Sequence, residues 1–272
     1  MAEQPSLYFD TLAPDALSVE LAPVVEDLNL QENCRELTMQ GWTVVHDVAS
    51  DEFNTNFREK IIEVAREDKA FNMLLAKDDL FVQAVMSPKL LAMAEFSVGR
   101  GFLISQVAAS IRPQGAKSIG LHADHNWLPA PFPEHNMLLT GCWACDEFTK
   151  EKGSTLVIPG SHVLRRHPDA EEISEKRGAI AIECPPGSVA MWNGNIWHSN
   201  WERKASGARV VCHITYTRLM MRPVEDYSAH AEKLIEKHGD TMAQLLGRKD
   251  FLSGPNGAEY DKLLQTFNNA KR

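Results

Sequence analysis

The pattern of apolar and polar positions divides the chain into three stretches of different rhythm. Residues 1–26 carry Pro5, Pro14 and Pro23 and show little periodicity, which predicts an extended N-terminal arm. From 27 to 100 the rhythm is helical. Leu30, Cys34 and Leu37 recur at three- and four-residue spacing before Gly41, a natural stop. A short strand, WTVVHDVA, follows. Ser50 then precedes Asp51 and Glu52, a hydroxyl cap with carboxylates at the positive end of a helix dipole. Phe53, Phe57, Ile61 and Val64 mark one face of that helix, which is expected to run to about residue 69. Further helices are predicted near 78–86 and after Ser87-Pro88, where serine would cap and proline take the first turn.

After Gly101 the period shortens. FLISQVAASI, NMLLTGCWACDEF, STLVIP, GAIAIEC, SVAMW, IWHSNW and ARVVCHITYTRL are short, apolar and rich in β-branched residues. Turn residues separate them, and Asn193-Gly194 predicts a hairpin joining SVAMW to IWHSNW. Beyond Pro223 helical spacing returns in EDYSAHAEKLIEKH and EYDKLLQTF. Helices, then strands over 101–222, then helices over 223–272 describe one α+β domain with an antiparallel sandwich or barrel at its centre.

Composition narrows the function. A net charge of −9 leaves no basic surface for phosphate backbones, so nucleic acid is not the expected partner. No apolar run reaches the roughly 18 residues of a membrane span. Five cysteines at scattered spacings do not form a disulfide framework, and no secretion signal is apparent, so a cytoplasmic setting is expected. Cys142-Trp-Ala-Cys145 has C-x-x-C spacing but stands alone in an apolar run and reads as strand core. The sequence says nothing of oligomeric state.

The chemistry concentrates in GLHADHNW. Alternation along a strand places His122 and Asp124 on one face and turns His125 away. A metal needs a third ligand, and His198 lies between aromatics in NIWHSNW. Two histidines and a carboxylate with other positions open form the facial triad of non-haem iron oxygenases. The same three residues would also serve as a His–Asp hydrogen bond at a strand end and a satisfied core histidine. Arg209 changes the balance. It leads the apolar strand ARVVCHITY, shares a face with Val211, His213 and Thr215, and needs an anion wherever it is buried. That anion is a carboxylate ligand or, in a purely structural role, Glu147, Glu202 or another acidic group.

LHADHNW, WACDEFTKEKGSTLVIPGSH, PPGSVAMWNGNIWHSNW and Arg209 together resemble the phytanoyl-CoA dioxygenase family of Fe(II)- and 2-oxoglutarate-dependent oxygenases, over about residues 30–225. The resemblance implies a double-stranded β-helix, the jelly-roll or cupin-like barrel, with flanking helices. It implies that His122, Asp124 and His198 bind iron. Arg209 would hold the distal carboxylate of 2-oxoglutarate, with Thr155 and Gln106 assisting, and Trp127 would face a small organic substrate. O₂ is the oxidant, and succinate and CO₂ are released. Related halogenases lack the carboxylate that Asp124 provides, so oxidation of the hydroxylating kind is expected. The chain departs from the family where HSNWERKASGAR replaces a glycine-rich run, so Asn200 and Trp201 would reshape that side of the pocket. Two other readings remain open at this point: a cupin-like metal enzyme without 2-oxoglutarate, in which Arg209 has no task, and a non-catalytic barrel that binds without turnover.

Overall fold

A computed structural model describes residues 17–67 and 71–249. The helices are α1 (Leu21–Asp27), α2 (Gln31–Gln40), α3 (Asp51–Glu67), α4 (Asp79–Val85), α5 (Pro88–Val98), α6 (Ala170–Glu175) and α7 (Ala231–Leu245). The strands are β1 (Trp42–Val45), β2 (Leu103–Pro113), β3 (Leu138–Ala144), β4 (Thr155–Val157), β5 (Ile180–Ala181), β6 (Val189–Asn193), β7 (His198–Asn200) and β8 (Ala208–Thr217). Every strand pairing is antiparallel. A larger sheet runs β1-β6-β3-β8-β2 and a smaller one β5-β4-β7. These two curved sheets are the halves of the jelly-roll.

Strand alternation explains how one sheet serves two cores. Leu139 and Trp143 of β3, Val189 and Met191 of β6, and Val210, Cys212, Ile214 and Tyr216 of β8 face the helices and join Phe57, Ile61, Phe81 and Leu90. The intervening residues Cys142, Ala144, Ala190, Trp192 and Val211 face the other sheet, with Phe148, Val157 and Ile182. The barrel lumen is therefore lined by positions that the helical side never sees. Cys142 and Cys145 fall on opposite sides of this division, so the C-x-x-C pair cannot close on one metal or disulfide. All five cysteines are buried and free, and burial pushes the Cys142 thiol up to about 12.

Several expectations are corrected. The expected N-terminal arm of residues 1–26 is helical from Leu21, because Leu21 and Val25, one turn apart, pack on α5. The earlier part of the arm, residues 1–16, lies outside the described residues, as does EYDKLLQTF. The Ser50 hydroxyl accepts from the Phe53 amide at 3.1 Å, as a cap should. Ser87 does not cap; its buried Oγ has no partner. Most consequential is Asn193-Gly194. It does not turn a hairpin: β6 and β7 belong to different sheets, and the chain crosses from one to the other here. Gly194 is required for space, not for a turn. A Cβ there would come within 2.7 Å of His125 Nε2 and 2.8 Å of the Leu138 carbonyl. Among the described residues no helix is long and apolar enough to cross a membrane.

Candidate metal centre

Backbone pairing brings the two histidines together. The His122 amide donates to the His198 carbonyl at 3.1 Å, and the His198 amide returns the bond at 2.8 Å. This bridge extends the smaller sheet beyond β7 and leaves the imidazole centroids 4.4 Å apart. The Asp124 amide donates to the Gly194 carbonyl at 3.0 Å, which pins the carboxylate beside them. His125 points away, as alternation requires. Its Nδ1 lies 2.5 Å from Asn195 Oδ1 and its ring packs on Phe132.

The side chains present their ligand atoms inward. Asp124 Oδ1 is 3.4 Å from His198 Nε2 and 3.8 Å from His122 Nε2, and one ligand atom from each residue lies within 4.8 Å of the others. His122 Nδ1 sits 2.8 Å from the Gly120 carbonyl and His198 Nδ1 3.2 Å from the Ile196 carbonyl. A carbonyl only accepts, so each Nδ1 carries the proton and each Nε2 keeps its lone pair for a metal. Asp124 Oδ2 accepts from Thr140 Oγ1 at 2.9 Å and from Trp192 Nε1 at 3.0 Å, which holds the carboxylate so that Oδ1 faces the imidazoles. Burial works against the Asp124 charge, but His198, His122 and these two donors outweigh it and hold the carboxyl below its usual range. Burial, and to a lesser degree His122, lower the His198 pKa against the opposing pull of Asp124 and the Ile196 carbonyl. Two imidazoles presenting Nε2 and one carboxylate fit a borderline divalent ion with half of an octahedron left open.

The triad opens onto a cavity of about 300 Å³. Arg209, Thr155, Gln106 and Trp127 all line it, so the residues that the resemblance gave a site role meet at one place, whereas Trp201, expected to reshape the pocket, does not line it. Arg209 is 4% exposed. One guanidinium nitrogen donates to the Gly153 carbonyl, the Phe148 ring lies 5.0 Å beneath, and Nε has no partner. Glu147 and Glu202 are paired with Lys152 and Lys117 instead, and among the described residues no carboxylate forms an ion pair with Arg209. Burial accordingly lowers its pKa to about 10. A buried cation with an unused donor, beside a metal-ligand triad, is chemically suited to the far carboxylate of a chelating diacid.

Other lining residues were not singled out. Thr140 lay hidden in an apolar run whose only visible signal was C-x-x-C. His213 and Thr215 were legible as sharing the Arg209 face, but nothing in the sequence gave them a task. Burial and the Arg209 charge bring the His213 pKa down to about 4. Asn200 lines the cavity too, yet its amide is engaged by the backbone: Oδ1 accepts from Ile119 at 3.1 Å and Nδ2 donates to Trp201 at 2.7 Å. Arg166 is held by Glu172 at 2.7 and 2.9 Å and His162 lies against the Thr38 carbonyl, both structural arrangements.

The profile of the family described as phytanoyl-CoA dioxygenase (PhyH) matches residues 24–210. A relative named Dioxygenase af480, from Aspergillus fumigatus, is 25% identical over 230 residues, covering 77% of this chain and 74% of that protein. Among solved structures, EctD from S. alaskensis with bound Fe is 17% identical with a TM-score of 0.60, covering 82% of this chain and 85% of that one. The non-heme alpha ketoglutarate dependent epimerase SnoN from nogalamycin biosynthesis is 16% identical with a TM-score of 0.61, covering 75% and 87%. At these identities the solved structures establish the shared jelly-roll fold.

Proposed function

The chain belongs to the phytanoyl-CoA dioxygenase family and is an Fe(II)- and 2-oxoglutarate-dependent dioxygenase, and from that premise we propose that His122, Asp124 and His198 are its iron ligands. Arg209 grips the distal carboxylate of 2-oxoglutarate, with Thr155 and Gln106 lining the same chamber. The outcome proposed is hydroxylation of a small organic molecule. One observation carries the assignment: a single cavity holds both the triad and a buried guanidinium that no acidic side chain neutralises.

Bound iron with its co-substrate supplies O₂-dependent oxidation, releasing succinate and CO₂. The residues of this chain do the rest. The Gly120 and Ile196 carbonyls keep both Nδ1 atoms protonated and both Nε2 atoms free. Thr140 and Trp192 stop Asp124 from rotating away from the metal position. Arg209, already desolvated, pays little reorganisation to hold a carboxylate in one orientation. Trp192, its ring tilted against His198 with centroids 4.9 Å apart, closes one wall against water. Asp124 occupies the position that a halide would need, which favours hydroxylation over halogenation.

The test is an anaerobic titration of Fe(II) and 2-oxoglutarate, followed by the weak visible charge-transfer band of the chelate. The band should form in the wild type and be lost in His122→Ala. A full band in that variant would remove His122 from the ligand set. Turnover under ¹⁸O₂ should place one labelled oxygen in the product; an unlabelled, epimerised or desaturated product would overturn hydroxylation while leaving the metal site intact.

A further inference from the structure

The lumen face of the larger sheet carries a second guanidinium beside the one assigned to the co-substrate. In the β2–β8 ladder Arg112 stands directly opposite Arg209, and it lines the same cavity. Alternation along both strands orders the rest of that face. Ser110 opposite Val211 comes next, then Ala108 opposite His213, then Gln106 opposite Thr215. The last rung continues through Thr140 to Trp192, the two donors that hold Asp124. Under the proposed function the co-substrate spans from the triad, past His213, to the rung that carries both arginines.

Arg112 is left short of acceptors as Arg209 is. Its Nε is buried without a partner, and one terminal nitrogen donates to the Lys117 carbonyl. Burial lowers its pKa, and among the described residues no acidic group acts against that. Asp124 is the one acidic side chain among the described residues that line the cavity, and its oxygens already serve the triad, Thr140 and Trp192. Asp146, the acid whose charge bears on Arg209, is held by Arg58 at 2.9 Å and by the Val210 amide at 2.7 Å. Like charges facing each other on one rung repel. Burial is the main cause of the lowered Arg209 pKa, and Arg112 adds to it more than Arg203 does. A carboxylate placed between the two guanidiniums removes that repulsion, and its two oxygens offer enough lone pairs to accept from both.

We infer that Arg112 is the second arm of the co-substrate clamp: the distal carboxylate of 2-oxoglutarate lies between the Arg112 and Arg209 guanidiniums and accepts from both. The pair selects a diacid over a 2-oxo acid that lacks the far carboxylate. Arg112 stands on β2, an edge strand of the larger sheet, and is half-buried where Arg209 is 4% exposed, so its contact is the weaker of the two. The inference rests on the reading above, that the triad holds iron and Arg209 the co-substrate.

Anaerobic calorimetry on the Fe(II)-loaded protein tests it with two ligands, 2-oxoglutarate and 2-oxobutanoate, the second of which keeps the chelating end and lacks the distal carboxylate. Arg112→Gln should weaken 2-oxoglutarate about tenfold and leave 2-oxobutanoate unchanged. Arg112→Lys, which keeps the charge, should recover part of the loss. Arg112→Gln combined with Arg209→Gln should lose less than the product of the two single losses, because both side chains act on one carboxylate. Binding of 2-oxobutanoate reports that each variant is folded. Unchanged 2-oxoglutarate affinity in Arg112→Gln, whether or not its thermal midpoint falls, would make Arg112 a brace for the Lys117 carbonyl and overturn the inference. Equal losses for both ligands, or fully multiplicative losses in the double variant, would overturn it too. Failure of the functional reading is seen separately in the wild type, as absence of the charge-transfer band or of any preference for 2-oxoglutarate over 2-oxobutanoate.

Discussion

Two buried arginines, Arg203 and Arg209, donate to neighbouring carbonyls of one turn, Lys152 and Gly153, and are equipped in opposite ways. Arg203, 5% exposed, donates to the carbonyls of Lys152 at 2.9 Å, Ser206 at 2.6 Å and Gly207 at 3.3 Å. Arg209, equally buried, donates to Gly153 and keeps Nε unpaired. The turn whose carbonyls both grasp, residues 149–153, requires Gly153, whose φ is +74° and whose Cβ would meet Arg203 at 2.9 Å. The difference teaches how to tell a brace from a binding group at equal burial. A guanidinium saturated by carbonyls has completed its work in the folded chain, whereas one left short of acceptors keeps capacity for a ligand.

The largest expected effects come from deleting each arginine in turn. Arg209→Ala should lower 2-oxoglutarate affinity by about 3 kcal/mol or more, roughly a hundredfold, with no loss of thermal stability, since a buried, under-satisfied charge is removed. Arg203→Ala should do the reverse: a loss of about 2–4 kcal/mol in denaturant unfolding, with near-normal 2-oxoglutarate affinity in the folded fraction. If both variants shift the same property, the distinction between brace and binding group is lost. A smaller effect is expected at the metal. Thr140→Val removes one of two donors to Asp124 Oδ2 and should weaken Fe(II) binding by roughly tenfold at unchanged 2-oxoglutarate contacts. Metal titration against the wild type reads this directly.

The pH dependence sharpens the comparison further. Burial lowers the Arg209 pKa to about 10, and a bound carboxylate favours the charged form. Co-substrate affinity should therefore be flat through neutral and mildly alkaline pH and fall as pH rises past that value. In Arg209→Lys the fall should begin at lower pH, because lysine ordinarily titrates below arginine. The smallest effect is expected at Ser87, whose buried hydroxyl is unpaired and which does not line the cavity of the triad. Ser87→Ala should change unfolding stability by no more than about 0.5 kcal/mol, or raise it. A large loss there would show that lacking a partner is no guide to function in this fold.

Much of the molecule was legible in one dimension. Period and caps marked α2, α3 and the strands β1–β8, because helix and strand faces follow from local geometry alone. His-x-Asp on one face, with His125 turned away, was legible for the same reason, and so was the shared face of Arg209, His213 and Thr215. The sheet assignment of His198 was not. Asn-Gly read as a hairpin because that pair usually supplies turn geometry, whereas here Gly194 is demanded by the closeness of His125 and Leu138, residues more than fifty positions away.

The sequence by itself determined the donor types, the alternation that aims them and the anion-seeking arginine, since each depends on residues within a few positions of one another. Only the tertiary structure decided that the His122 and His198 backbones pair, that Thr140 and Trp192 hold Asp124, and that Glu147 and Glu202 leave Arg209 unneutralised. Those facts come from long-range packing and from which groups remain unsatisfied once the sheets have closed, and neither is written in local spacing.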